Sequence, residues 1–234
     1  MDIEIIEMTE RKGKFLLKNA SPAMANALRR TMLSDIPKMA IDKVEFHLGP
    51  IMVDGREYES ITPLFDEIIA HRLGMIPVPT DPQLFVPQEQ CSCGGEGCPS
   101  CMIMYSLNKI GPCTVLSGDL LPLGGPELKV KDENIPIVQL ADGQAVLIYA
   151  TAIMGTSKKH VKWQAANGVG YKYKTLADAE ARGEESAISE NIDETEFVFT
   201  FETDGSLTAE QVLKKALDIL SKDADALKEM IDAL

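Results

Sequence analysis

The sequence predicts an α+β protein. Three observations carry this reading. Apolar and polar residues alternate over 40–48 and 196–202, as in half-buried strands. Two helix starts take the form Ser/Thr-Pro, at Ser21-Pro22 and Thr62-Pro63. A heptad-spaced apolar seam occupies the last 22 residues. With 234 residues, 45% of them apolar, the chain can bury a sizeable core in one or two domains. Aromatic residues are only 6%, so Leu, Ile, Val, Met and Ala fill most of it.

Strands are predicted at 2–8 and 14–18, joined by a polar turn with Gly13 near its end. Ser21 can cap a helix running from Ala23 to about Ser34, which Asp35-Ile36-Pro37 stops. Met24, Ala27, Leu28, Thr31 and Met32 lie along one broad side of it, with Arg29 and Arg30 on the opposite flank. A strand follows at 40–48. Thr62-Pro63 opens a second helix carrying Leu64, Phe65, Ile68, Ile69 and Leu73, with Gly74 placed as its C′ residue. Short β signals come at 103–107, 114–117, 137–140 and 145–154. Residues 167–174 begin a polar stretch, and 176–196 carries eight acids against Arg182 alone, which reads as a solvated linker. Asp204-Gly205 makes a turn, and Thr208 caps the final helix.

In that last helix Leu213, Leu217, Leu220, Ala224, Leu227, Ile231 and Leu234 are spaced 4, 3, 4, 3, 4, 3. At ~1.5 Å per residue the helix is roughly 40 Å long. Two readings stand open: an amphipathic helix lying on its own sheet, or a helix–helix interface with another chain.

Lys and Arg number 23 and Asp and Glu 36, giving a net charge of −13. Such a chain repels phosphate backbones, so direct nucleic-acid binding is not expected to be its main role. No apolar stretch approaches the ~18–20 residues of a membrane span. The start Met-Asp-Ile-Glu lacks the basic and apolar regions of a secretory signal, and a cytoplasmic protein is expected.

Four of the five cysteines, Cys91, Cys93, Cys98 and Cys101, fall within eleven residues as C-x-C-x4-C-x2-C. Four thiolates supplied by one local loop suit a single tetrahedral Zn²⁺ with no open coordination position, hence a structural site. Three glycines let the loop turn and bring N–H groups toward sulfur. An Fe–S cluster is the rival, but the C-x2-C-x2-C-x3-C-P spacing is absent. A metal-free loop is the bland alternative. Cys113 reads as a small core residue.

No catalytic constellation emerges. The chain lacks G-x-S-x-G, H-E-x-x-H and G-x4-G-K-[ST]. Its histidines are His47, His71 and His160, and His71, with Glu67 four residues before it, reads as a satisfied structural histidine.

The stretch 26–37 (Asn-Ala-Leu-Arg-Arg-Thr-Met-Leu-Ser-Asp-Ile-Pro), followed by Ala-Ile-Asp-Lys-Val at 40–44, resembles the N-terminal motif of the RNA polymerase alpha family. That family includes the bacterial alpha N-terminal domain, the archaeal D subunit and the third-largest eukaryotic subunit. Residues 65–77 (Phe-Asp-Glu-Ile-Ile-Ala-His-Arg-Leu-Gly-Met-Ile-Pro) and 158–164 (Lys-Lys-His-Val-Lys-Trp-Gln) resemble its archaeal–eukaryotic branch, the archaeal members most of all. The cysteine loop sits where the eukaryotic subunit carries its zinc loop.

The resemblance implies a discontinuous dimerisation domain at 1–40 and 166–234, with a mixed sheet and two interface helices. A mainly β α/β domain with the four-cysteine loop is inserted at 41–165. It implies a non-catalytic assembly subunit of DNA-directed RNA polymerase, part of an enzyme only through the complex. The implied partners are a smaller L-type subunit, small assembly subunits and the large catalytic subunits. It places Met24, Leu28, Met32, Leu213, Leu217, Leu220, Leu227 and Ile231 at the pairing interface. Arg29 and Arg30 match arginines associated with large-subunit contact, their alternative being a solvated helix face. Lys158, Lys159, His160, Lys162 and Trp163 form a second docking segment, with Trp163 either an anchor or core. Many archaeal members carry a further ferredoxin-like insertion; the matching region, 167–195, has no cysteine, so no Fe–S cluster is expected there. A free-standing zinc-binding or redox protein is the alternative function.

Overall fold

The computed structural model describes residues 1–174 and 194–233. The acidic stretch 176–196, expected to be a linker, and most of the cysteine-free region 167–195 lie largely outside the described residues, as does Leu234. The chain divides into two compact units. One comprises Met1–Ile36, Thr156–Lys158 and Gln164–Leu234; the other comprises Pro37–Gly155 and Lys159–Trp163.

The first unit is a four-stranded sheet with two helices. Strands β1 (Asp2–Met8) and β2 (Lys12–Lys18) form a hairpin; α1 (Pro22–Ser34) follows. Near the other end of the chain come two strands, numbered β11 (Ala166–Tyr173) and β12 (Phe197–Thr203) in chain order, and the helix α3 (Ala209–Asp232). The strand order is β1-β2-β12-β11, so the two chain ends meet where β2 pairs with β12. Every pairing is antiparallel, a correction to the mixed sheet expected. Parallel neighbours need a crossover of a dozen residues or more, and neither α1 nor α3 bridges two strands of this sheet.

The core of this unit is aromatic despite the low overall content. Phe15 on β2 stacks on Phe199 of β12 at 4.9 Å, and Tyr171 of β11 stacks on the other side of Phe199 at 5.1 Å. Leu28 and Met32 of α1 and Val212, Leu213 and Ala216 of α3 close the cluster. Strand β11 replaces the start of the polar stretch expected at 167–174. It is an edge strand that buries only Ala166 and Val169 fully, so a one-sided apolar signal is diluted by Asn167, Gly168 and Lys172. Its register shifts between Asn167 and Gly170, where Gly168 takes φ +59°, a conformation suited to glycine.

Ser21 caps α1 as expected, its Oγ accepting from the Met24 N–H at 3.2 Å. Thr208 and Gln211 form a reciprocal capping box at the start of α3. Burial divides α3 into two halves. Leu213 is buried in the unit's own core, and Leu217 and Leu220 are half-buried against it. From Ser221 onward every described residue is exposed.

In the second unit a sheet of order β3-β10-β6-β8 is built from β3 (Lys38–Phe46), β6 (Met102–Ile110), β8 (Leu121–Pro122) and β10 (Ala145–Gly155). The hairpin β4 (Ile51–Val53)–β5 (Arg56–Tyr58) and the pair β7 (Cys113–Leu116)–β9 (Pro136–Leu140) flank it. Helix α2 (Asp66–Gly74) buries Ile69 and Leu73 in a core with Ile41, Tyr105, Ile137 and Ile148. It starts later than predicted. The Thr62 hydroxyl donates to the Leu64 carbonyl instead of capping, Phe65 is the N-cap, and Asp66 and Glu67 supply the negative charge that a helix N-terminus favours. Gly74 is the last helical residue, with Met75 as the C-cap. Among the described residues no helix is long and apolar enough to cross a membrane.

Candidate metal centre and docking surfaces

The cysteine loop joins a short 3₁₀ turn at Gln88–Gln90 to strand β6. Its ends are tied by the Val86 N–H donating to the Ser100 carbonyl at 3.0 Å. At the second knuckle the N–H groups of Cys101 and Met102 both donate to the Cys98 carbonyl, at 2.9 and 3.0 Å, which turns the chain tightly under the sulfurs. Gly94, Gly95 and Gly97 all have positive φ. A side chain at Gly97 would also meet the Met102 sulfur at 2.8 Å.

The four sulfurs converge. Cys91 and Cys98 are 3.5 Å apart, Cys93 and Cys101 3.7 Å, Cys98 and Cys101 3.9 Å, and all lie within 4.8 Å of one another. A tetrahedron with metal–sulfur bonds of ~2.3 Å has edges of about 3.8 Å, so the donor set fits one ion. Cys91 and Cys101 are buried and Cys93 and Cys98 half-buried. The Cys98 N–H donates to the Cys101 sulfur at 3.2 Å. The Gly97 N–H, with lesser help from the Cys91 thiol, holds the Cys93 thiol down to about 6, whereas burial pushes Cys101 up to about 12. Four thiolates within 4.8 Å of one another repel each other, and a divalent cation at their centre would offset that repulsion. These four sulfurs can hold one metal ion. Cys113 stands apart, half-buried, its thiol donating to the Ile110 carbonyl.

The expected docking residues fall on both units. Arg29 is half-buried and donates twice to Asn26 Oδ1, at 3.2 and 3.0 Å; Arg30 is exposed and makes no ion pair among the described residues. Lys158, in the first unit, pairs with Asp35 at 2.7 Å. In the second unit Lys162 bonds Asp42 at 2.5 Å, and the Lys162 N–H donates to His160 Nδ1. Lys159 and Lys162 both lie over the Trp163 ring, at 5.1 and 4.3 Å from its centroid.

Trp163 is core, a correction to its place among the docking residues. It is 1% exposed, its indole N–H donates to the Ile153 carbonyl at 3.1 Å, and its ring covers Gly155, where a Cβ would come within 2.5 Å of it. Trp163→Ala is therefore expected to lower stability by about 3–5 kcal/mol, the cost of emptying a large core site. A urea midpoint measurement checks this, and a variant as stable as the parent would return Trp163 to the surface.

His71, expected to be a satisfied structural histidine, is exposed, and its side chain makes no hydrogen bond among the described residues. It lines a groove of about 230 Å³ with Asp42, Met75, His160 and Lys162.

The pairing residues also divide. Leu28, Met32 and Leu213 are buried in the first unit's own core, which corrects their direct assignment to an interface. Met24, Leu227 and Ile231 are exposed, at 42%, 59% and 59%. Met230, 70% exposed, joins them and lies off the heptad positions, which is why the spacing did not single it out.

The first unit is an antiparallel, aromatic-cored sheet with α3 buried against it at one end and exposed at the other. The chain matches the family described as the RNA polymerase Rpb3/Rpb11 dimerisation domain over residues 14–224, and it belongs to that family. It is 42% identical to DNA-directed RNA polymerase subunit Rpo3 of Thermoplasma volcanium, over 94% of this chain and 95% of that one. It is 41% identical to the Rpo3 subunit of Picrophilus torridus, over 98% and 99%, and 34% identical to that of Methanosarcina acetivorans, over 100% and 99%.

Proposed function

We propose that the chain is a non-catalytic assembly subunit of DNA-directed RNA polymerase. It pairs through its first unit with a smaller L-type subunit, and the pair is the platform on which small assembly subunits and the large catalytic subunits gather. Nucleotidyl transfer belongs to the complex, in the cytoplasm, and direct contact with nucleic acid is slight. The observation that carries this reading is the outer half of α3, with Leu227, Met230 and Ile231 exposed along a helix that its own sheet does not cover. Apolar side chains grouped on a bare helix end are what a helix–helix interface needs. The near full-length match to Rpo3 subunits supports the same role.

The four-cysteine loop holds one structural zinc. Its donor set is all thiolate, and the sulfur spacing suits tetrahedral closure by protein ligands alone. The zinc fixes the loop's fold and takes no part in a reaction. Arg29, Arg30 and the exposed members of 158–162 are the docking residues for a large subunit. An omission experiment tests the role. When the polymerase is reconstituted without this chain, the large subunits are expected not to join into an active complex. Full activity without it would contradict the assembly role.

A further inference from the structure

The chain has no Lys, Arg or His between Arg72 and Lys109, a span that contains the whole cysteine loop. Four thiolates around one divalent cation keep two excess negative charges. Charge held in a buried or half-buried place needs hydrogen-bond donors, and here the loop's own backbone supplies them. The Cys98 N–H donates to the Cys101 sulfur at 3.2 Å. The Cys93 N–H acts on the Cys91 sulfur. The Gly97 N–H acts on the Cys93 sulfur more strongly than any other group, and the Gly95 N–H adds to it.

These donors are held in different ways. Cys98 is fixed by its own knuckle, where its carbonyl accepts from the Cys101 and Met102 N–H groups. Gly97 precedes it at φ +97°, and glycine has no side chain to hold such a conformation. The Met102 side chain packs on it instead. The Met102 Sδ lies 2.8 Å from the place a Cβ on Gly97 would take, with Cε at 3.3 Å and Cγ at 3.9 Å. The other two loop glycines have no such cover. Beyond its chain neighbours Gly94 has no atom within 4 Å of that place, and Gly95 has only the Gln88 carbonyl at 3.8 Å.

Met102 is itself anchored. It is the first residue of β6, it stands opposite Ile153 of β10 in the ladder, and the next residue, Ile103, is buried in the core. Its thioether thus carries the position of the sheet to the one glycine whose N–H matters most to the Cys93 sulfur.

We propose that Met102 is a positioning residue of the metal centre. Its side chain packs Gly97 so that the Gly97 N–H meets the Cys93 sulfur, which raises the loop's affinity for zinc without adding a ligand. The proposal rests on the reading that the four cysteines hold one zinc.

The test compares the full chain with Met102→Ala, Met102→Leu and Met104→Ala. Met104 is the control, because it shares a face of β6 with Met102 and has no part in the loop. Zinc affinity is measured in competition with a chelator. Each protein is then loaded with Co²⁺, whose sulfur-to-metal charge-transfer band reports how firmly the thiolate electrons are held. Met102→Ala is expected to lower zinc affinity about tenfold to a hundredfold, the usual effect of losing a group that orients a ligand. One ion is still expected at saturation, with the cobalt band moved to longer wavelength as the sulfur loses its donor. Met102→Leu keeps an apolar side chain of similar volume over Gly97 and is expected to stay within about threefold of the parent. Met104→Ala is expected to match the parent. Affinity of Met102→Ala within about twofold of the parent overturns the proposal, as does an equal loss from Met104→Ala. Weaker binding with an unmoved cobalt band, or an unfolded Met102→Ala in a thermal melt, leaves Met102 a packing role only and overturns it too. A parent that binds no zinc overturns the metal reading on which the proposal stands.

Discussion

Replacing Leu227 and Ile231 with aspartate is expected to abolish pairing with an L-type subunit without unfolding the chain. Both side chains are 59% exposed and contribute little to the monomer's core. Burying each in an interface is worth about 1.5–3 kcal/mol, so losing both costs roughly 3–6 kcal/mol of affinity before the buried charge is counted. That is a weakening of about a hundredfold to ten-thousandfold. Calorimetric titration measures the affinity, and a thermal melt shows whether the fold is kept. The contrasting variant is Leu213→Asp. Leu213 is 5% exposed among Leu28, Val212 and Phe199, so a charge there is expected to unfold the first unit outright. Equal loss of pairing from both variants with both melts unchanged would contradict the division of α3 into a core half and a pairing half.

The substitution Cys101→Ser is expected to empty the metal centre and unfold its loop. Cys101 is fully buried and sits 3.7 and 3.9 Å from two other sulfurs, so removing its thiolate opens the set from within. Metal binding and loop folding are one equilibrium in such sites, and the loop has little other core of its own. The metal content is expected to fall from about one ion per chain to near zero. Proteolysis is expected to appear at 88–101, and prolonged chelation of the parent to do the same. The sheet and helices of the first unit contain none of the four ligands, so pairing affinity is expected to stay within about twofold. Retained metal in the variant would show that the four cysteines do not act together.

Much of this architecture was legible in the sequence because its signals are local. The Ser21 and Thr208 caps, the alternation in β3 and β12, and the cysteine spacing each depend on a few neighbouring residues. The misses have a common physical cause: they depend on what lies across the fold. Strand β11 is defined by Tyr171 meeting Phe197 and Phe199, not by its own glycine-rich pattern. Trp163 reads equally well as anchor or core until the Ile153 carbonyl and Gly155 are placed against it. The heptad seam of α3 is continuous in sequence, yet burial cuts it near Ser221, where the unit's own sheet no longer covers the helix. Thr62-Pro63 has the composition of a helix start, but the Thr62 hydroxyl is taken up by Leu64, and the first turn moves to the acids at 66 and 67.

The proposed assembly role makes this chain half of a heterodimeric platform holding one structural metal. Native mass spectrometry of the full chain mixed with an L-type subunit tests it most directly. The expected result is one species with the mass of this 25.6 kDa chain plus one partner and a single zinc ion. Separate monomers at micromolar concentration, or a pair that carries no metal, would contradict it.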